Sequence, residues 1–278
     1  MKYIKLNDNK KIPQIGLGTY KITERKVMAN VIEAAFESGY EYIDTAKFYD
    51  NEDIIGAELK NSNKKREEYQ LVTKVWPTYF GEDLTKKSID ESLENLQTDY
   101  IDIILLHWYG KDYDKAWKVF EEYKRQGIVK SIGVCNFEIK QLKELLKIGE
   151  APVLDQLESS PHFQNSKTLE FLKENKIVHQ AWSPLARGRS NLLEEDVIKN
   201  LSNKYNKTPA QIVLRWHIER GTMVIPKSSH PARIKENIDI FDFELSDDDI
   251  KAIKSLDIQK RYSNDPEDEI WLKELLTK

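Results

Sequence analysis

Short apolar runs alternate along the chain with longer stretches in which apolar residues recur three and four positions apart. The runs are Tyr42-Ile43, Leu71-Val72-Thr73, Ile101 to Leu106, Val129 to Val134, Val153 to Leu157, Ile177 to Ala181 and Met223 to Ile225. Runs of this kind suit strands buried on both faces. Between them, Val27, Val31, Ala34 and Ala35 mark a helix that ends at Gly39. Ile89, Leu93 and Leu96 mark a second, and Ile139, Leu142 and Leu146 a third. Such spacing lines up one apolar helical face to cover a sheet. Thr208-Pro209-Ala210-Gln211 predicts a capped helix start, with the helix running to about Trp216, and Ser246-Asp247-Asp248-Asp249 predicts another.

Strand-then-helix units repeated without a linker imply a parallel sheet covered by helices. With Gln14 to Gly18 counted as the first strand there are eight units, which predicts an α/β fold of the (β/α)8 TIM-barrel type. The chain reads as a single domain over residues 1–278. Tyr3 to Leu6 and Lys11-Ile12 flank Asn7-Asp8-Asn9-Lys10, which predicts an N-terminal β-hairpin plugging the barrel floor. The stretch from Arg187 to about Lys204 is too long for an ordinary connection and predicts an extra helix after the seventh barrel strand.

Composition narrows the function classes. The formal net charge is −4 and Lys/Arg residues are interspersed with Asp and Glu, which argues against a nucleic-acid partner. No apolar run approaches the roughly 18 residues of a membrane span. The segment Met1 to Asp8 lacks the apolar core of a secretory signal, and Cys135, the single cysteine, can form neither an internal disulfide nor a cysteine-rich zinc site. The expectation is a cytoplasmic protein without metal.

Catalytic groups of such barrels stand at the carboxyl ends of strands. Those ends carry Asp44, Lys74, His107, Asn136, Gln156 and Trp182, with Tyr49 in the loop just after Asp44. Gly16-Leu17-Gly18 does not open a dinucleotide fingerprint, because Lys21 stands at the third glycine position. Lys227, Ser228 and Arg233 lie near the start of a helix opening at about Pro231, where free N–H groups and the helix dipole attract phosphate.

Asp44-Thr45-Ala46-Lys47-Phe48-Tyr49 followed by Asn51-Glu52, Leu71 to Lys74, Asp102 to Trp108, Ser131 to Phe137, Asp155 to Glu158, Ala181 to Leu185 and Ile225 to Ser228 with Arg233 to Asn237 occur in one order. In that order the chain resembles the aldo-keto reductase family, prokaryotic type, from Gly16 to about Leu245. The resemblance implies a catalytic tetrad of Tyr49, Asp44, Lys74 and His107, with Tyr49 as proton donor and Lys74 lowering its pKa. It implies NADP(H) as cofactor, with Trp182 stacking on the nicotinamide and Asn136 and Gln156 holding the carboxamide. Cys135, Ser183 and Leu185 are further cofactor-binding positions. Lys227, Ser228 and Arg233 would take the adenosine 2′-phosphate, and Glu236 and Asn237 the adenine. Cys135 departs from the family's usual serine, and a thiol is the weaker hydrogen-bond partner.

Tyr20, Trp76 and Trp108 are candidate walls of a substrate pocket, ahead of Phe48, Tyr79 and Tyr109. The C-terminal tail, Tyr262 to Lys278, reads as short and charged, with Trp271 its main apolar anchor. The function expected is NADPH-dependent reduction of aldehydes or ketones (small dicarbonyls, sugar aldehydes or keto-sugar acids) by a monomer. A dehydrogenase working toward oxidation, a non-catalytic NADP(H)-binding regulatory subunit and a metal-dependent hydrolase are the competing readings.

Overall fold

The computed structural model describes residues 2–275, so Met1 and the last three residues of the predicted tail lie outside the described residues. Two strands, β1 (Tyr3–Lys5) and β2 (Lys11–Pro13), form the antiparallel hairpin. Eight parallel strands follow: β3 (Leu17–Gly18), β4 (Tyr42–Asp44), β5 (Gln70–Val75), β6 (Ile101–Leu106), β7 (Val129–Cys135), β8 (Leu154–Glu158), β9 (Val178–Trp182) and β10 (Met223–Val224). They pair in chain order. The sheet closes on itself where Ile15 bridges Val224 and Gly18 bridges Lys227, with Gly16 N donating to Val224 O at 2.9 Å. The barrel is therefore complete, as the repeat pattern predicts, although the first strand is shorter than Gln14 to Gly18.

Alternation along each strand divides the core in two. Ile43, Leu71, Ile104, Leu106, Ile132, Val134 and Ala181 face outward and pack under helices. Tyr42, Val72, Ile103, Leu105, Cys135, Leu154, Val178 and Met223 face inward. Leu6 and Ile12 join that inner cluster, so the hairpin does seal the floor. The same alternation turns Asp44, Lys74, Gln156, Gln180 and Trp182 into the barrel, in the upper half.

Helix boundaries follow their local chemistry. The helix Pro209–Glu219 starts on Thr208, whose hydroxyl accepts from Gln211 N, and Asp247–Lys254 starts on Ser246 in the same way. Gly39, at φ 89°, takes the left-handed conformation that ends Arg25–Glu37. The extra helix is Asp196–Tyr205, reached through short turns at Ala186–Gly188 and Leu192–Glu194. A last helix, Glu269–Leu275, lies in the tail.

Gly56 allows the helix Glu52–Asn61 to lie directly on the end of Glu82–Asn95: a Cβ there would fall 2.3 Å from Asn95 O and 2.6 Å from Leu96 C. On an exposed helix, alanine would gain about 1 kcal/mol over glycine. Against rigid backbone the overlap outweighs that gain, and Gly56→Ala is expected to lose about 1–3 kcal/mol in urea unfolding. An unchanged or raised midpoint would refute the packing argument.

Candidate active site

The carboxyl ends of the barrel strands surround a cavity of about 720 Å³. Its floor holds an ion pair. Lys74 Nζ donates to Asp44 Oδ1 at 2.7 Å and to Thr45 O at 2.8 Å, and both side chains are almost fully buried. The third ammonium hydrogen points to Tyr49 OH, at a slack 3.4 Å. Asp44 Oδ2 accepts from Gln156 Nε2 at 2.7 Å, so each carboxylate oxygen has its own donor.

Tyr49 closes a single 3₁₀ turn, Lys47–Tyr49, that follows β4. Asp50, at φ 52°, reverses the chain behind it. Buried Asn51 then fixes the loop: its Nδ2 donates to Thr19 O and Ile22 O, and its Oδ1 accepts from Thr45 Oγ1 at 2.8 Å. The side chain of Tyr49 is thus held between the loops after β3 and β4, against the Tyr20 ring at 4.9 Å and edge-on to His107 at 5.7 Å.

The protonation states follow from this enclosure. Burial pushes the Tyr49 phenol well above its ordinary value, and the nearby Asp44 carboxylate pushes the same way. The sequence-based expectation that Lys74 lowers this pKa is therefore corrected. Lys74 is paired with Asp44 at 2.7 Å, and burial together with the Asp44 carboxylate outweighs its pull on the phenol. Arg187 is the cation that does lower the Tyr49 value. His107 is pushed well below its usual range by burial and then by Lys74, so its imidazole is neutral. Burial raises Asp44, opposed by Lys74 and Gln156.

Around this floor, Trp182 Nε1 donates to Asn136 Oδ1 at 2.9 Å, and Asn136 Nδ2 donates to His107 O at 3.1 Å. Cys135 Sγ lies 3.1 Å from Asn136 Nδ2 and 3.6 Å from Gln156 Oε1. Gln156 sits mid-strand on β8 rather than at its carboxyl end. Tyr20, Trp76, Trp108, Ser183, Leu185, Lys227 and Arg233 also line the cavity. Ser228, Glu236 and Asn237 do not: Ser228 Oγ accepts from His230 N, and Glu236 accepts from Thr208 Oγ1. Tyr109 is turned away, its hydroxyl donating to Glu144.

Two groups of cavity residues were absent from the sequence-based set. Lys21, Arg187 and Arg189 line it with Lys227 and Arg233, and none of these five cations pairs with a carboxylate among the described residues. Burial and the charge of Lys21 both lower Lys227. Such an excess of unpaired cations fits an anionic ligand. The second group belongs to the tail. Arg261 pairs with Glu138, Tyr262 N donates to Glu158 Oε1, and Gln141 Nε2 donates to Pro266 O. These ties bring Trp271 to 4.5 Å from Trp108 and bury Leu275 against the Trp76–Trp108 wall. The spacing of Trp271, Leu272 and Leu275 on one helical face was the available signal.

Fold and cavity define a barrel with a buried phenol beside a Lys–Asp pair, next to a cluster of cations. The model of the "Aldo/keto reductase family" matches residues 14–258. Escherichia coli K12 methylglyoxal reductase DkgA is 42% identical over 268 residues, covering 95% of this chain and 96% of that protein. Bacillus subtilis glyoxal reductase is 39% identical over 267 residues, covering 95% and 96%. The crystal structure of a Bombyx mori aldo-keto reductase in complex with NADP superposes with a TM-score of 0.87 at 32% identity, covering 95% of each chain. The chain belongs to the aldo/keto reductase family.

An ultraviolet difference titration of the protein against Tyr49→Phe should detect no tyrosinate from Tyr49 below about pH 10. Ionisation nearer pH 8 would mean that the Lys74 charge outweighs burial after all.

Proposed function

We propose that this chain is an NADPH-dependent carbonyl reductase that turns small aldehydes and dicarbonyls into alcohols, with Tyr49 as the proton donor. The observation that carries the reading is Lys74 Nζ standing between Asp44 Oδ1 and Tyr49 OH at the base of an anion-seating cavity. The names of the E. coli and B. subtilis relatives support methylglyoxal and glyoxal as the first substrates to try. The NADP bound to the Bombyx mori relative supports the choice of cofactor.

The residues present fit that cofactor. Trp182 offers an aromatic face at the cavity wall, and Gln156 Oε1 and the Asn136 amide offer polar partners for a carboxamide. Ser183, Leu185 and Arg187 would border the pyrophosphate, with Lys227, Ser228 and Arg233 toward the 2′-phosphate. Glu236 and Asn237, outside the cavity lining, are the outer end of the same path. Cys135 contributes little hydrogen bonding, and the carboxamide would rely on its neighbours.

When bound, NADPH supplies the hydride that the carbonyl carbon accepts. As negative charge grows on the carbonyl oxygen, Tyr49 gives up its proton to it. A phenol held above its ordinary pKa keeps that proton until the oxygen becomes basic enough to take it. Lys74 then stabilises the phenolate left behind, and Asp44 keeps Lys74 charged and aimed. Neutral His107 orients the carbonyl oxygen by a hydrogen bond. Trp76, with Phe48 stacked on it at 3.8 Å, and Trp108 with Trp271 wall the substrate side and limit water. A non-catalytic NADP(H)-binding subunit would have no need of a buried Lys74–Asp44 pair directed at a phenol. The same reading takes the protein as a cytosolic monomer; among the described residues no helix is long and apolar enough to cross a membrane.

Tyr49→Phe should bind NADPH as the parent does and lose roughly 10²–10⁴-fold in methylglyoxal turnover. Undiminished turnover would falsify the assignment. Arg233→Ala should weaken NADPH about tenfold while leaving NADH nearly unaffected, as expected for one charge-assisted phosphate contact. Equal losses with both cofactors would remove Arg233 from the 2′-phosphate.

A further inference from the structure

Below the cavity, a chain of buried polar side chains runs through the barrel interior to Asp44. Gln156 Nε2 donates to Asp44 Oδ2 at 2.7 Å and to Gln180 Oε1 at 2.6 Å. Gln180 Nε2 donates in turn to Tyr42 OH at 2.9 Å and lies 2.8 Å from Met223 Sδ. Tyr42 and Gln180 are wholly buried and Gln156 nearly so. Neither Tyr42 nor Gln180 lines the cavity.

A carboxamide has two N–H donors and one carbonyl acceptor, and these neighbours leave each amide one orientation. Flipping Gln156 would set its carbonyl against the Asp44 carboxylate. Flipping Gln180 would set its NH₂ against the Gln156 NH₂. In the arrangement found, both Gln156 N–H groups are engaged below and sideways. Its Oε1 is left facing the cavity, with only the weak Cys135 thiol, at 3.6 Å, as donor. The Asp44 contact alone would hold one N–H and leave the amide free to swing about it. The Gln180 contact removes that freedom.

We propose that Gln180 is a positioning residue for both halves of the site. Through Gln156 it keeps one hydrogen bond on Asp44 and directs the Gln156 carbonyl to an N–H donor of the bound cofactor. The second half rests on the reading of the cavity as an NADPH site. Gln180 can do this because β8 and β9 pair with Gln156 opposite Gln180, so both side chains enter the barrel at one level. Nothing in the spacing of the sequence marks Gln180 for this role, since it stands one layer below the residues that touch ligands.

The test uses Gln180→Met, which fills the volume and offers only a weak thioether acceptor, and Gln180→Glu, which in the dry interior stays protonated and keeps both an acceptor oxygen and an O–H. NADPH affinity is measured by fluorescence without substrate, and the pH profile of kcat is measured with methylglyoxal. Gln180→Met should weaken NADPH roughly tenfold, the scale of one buried hydrogen bond misplaced, and shift the pH profile. Gln180→Glu should stay within about twofold of the parent on both readouts. If Gln180→Met lowers only the melting temperature, or if both variants behave alike, the residue is merely filler and the proposal falls. Should Gln180→Met not accumulate as folded protein, Tyr42→Phe, which removes the far anchor, should weaken NADPH about threefold, and no weakening would overturn the proposal. Failure of the underlying reading looks different: the parent protein would not bind NADPH, or Tyr49→Phe would turn over normally.

Discussion

The Asp44–Lys74 ion pair sets the terms for the rest of the upper barrel. Two charges with almost no exposed side-chain surface lie 2.7 Å apart. Removing either from water costs several kcal/mol, and their attraction offsets this only if the remaining lone pairs and hydrogens are also satisfied. The structure meets that condition with Thr45 O and Tyr49 OH for Lys74 and with the Gln156 amide for Asp44. Neighbouring parallel strands supply the geometry: Asp44 ends β4, Lys74 lies on β5, and both point inward. Gln156 arrives from β8, which only a closed barrel brings within hydrogen-bond distance of β4. Closure at the Ile15–Val224 and Gly18–Lys227 seam is thus a condition for the charge pair as well as for the core.

The same pair explains why the phenol behaves opposite to the simplest expectation. A lone ammonium next to Tyr49 would favour phenolate. An ammonium already neutralised by a carboxylate presents mostly a dipole, and burial then decides the sign. Within the pair, Asp44 raises the Tyr49 value, and burial adds the larger share. In the proposed reaction, the phenolate formed at Tyr49 would lie 3.4 Å from Lys74 Nζ. Only an interaction stronger in the transition state than in the ground state speeds the chemical step, and in the proposed reaction Lys74 is placed to make one.

Much of this was legible in the sequence. Strand runs and helix faces gave the barrel because local period and burial are tightly coupled, and the capping boxes at Thr208 and Ser246 form as the pattern predicts. Asp44, Tyr49, Lys74 and His107 could be grouped from the sequence because they sit in contiguous motifs, and the structure places them side by side. What escaped were groups whose role depends on contacts far apart in the chain. Gln180 meets Gln156 across a strand pair, 24 residues away, and Tyr42 across 138. Arg187 reaches the site from a left-handed turn at φ 58°, which a sequence pattern does not reveal for a non-glycine residue.

The tail shows how such contacts extend the site beyond its family core. Residues after 258 fall outside the matched family region, yet Arg261, Tyr262 and Pro266 are tied to Glu138, Glu158 and Gln141. Glu138 and Glu158 follow or end strands β7 and β8, so the rim offers acceptors at fixed positions to whatever segment can reach them. Burial raises the Glu158 pKa, and the Tyr262 N–H and Arg261 act against that shift. The tail therefore does for Glu158 what Gln156 does for Asp44: it supplies donors that let a carboxylate remain charged out of water. Once those polar ties are made, Trp271 and Leu275 have little freedom left and complete the apolar wall begun by Trp76 and Trp108. Ordering by buried polar contacts, with apolar surface added on top, is the same logic at the rim as at the barrel centre.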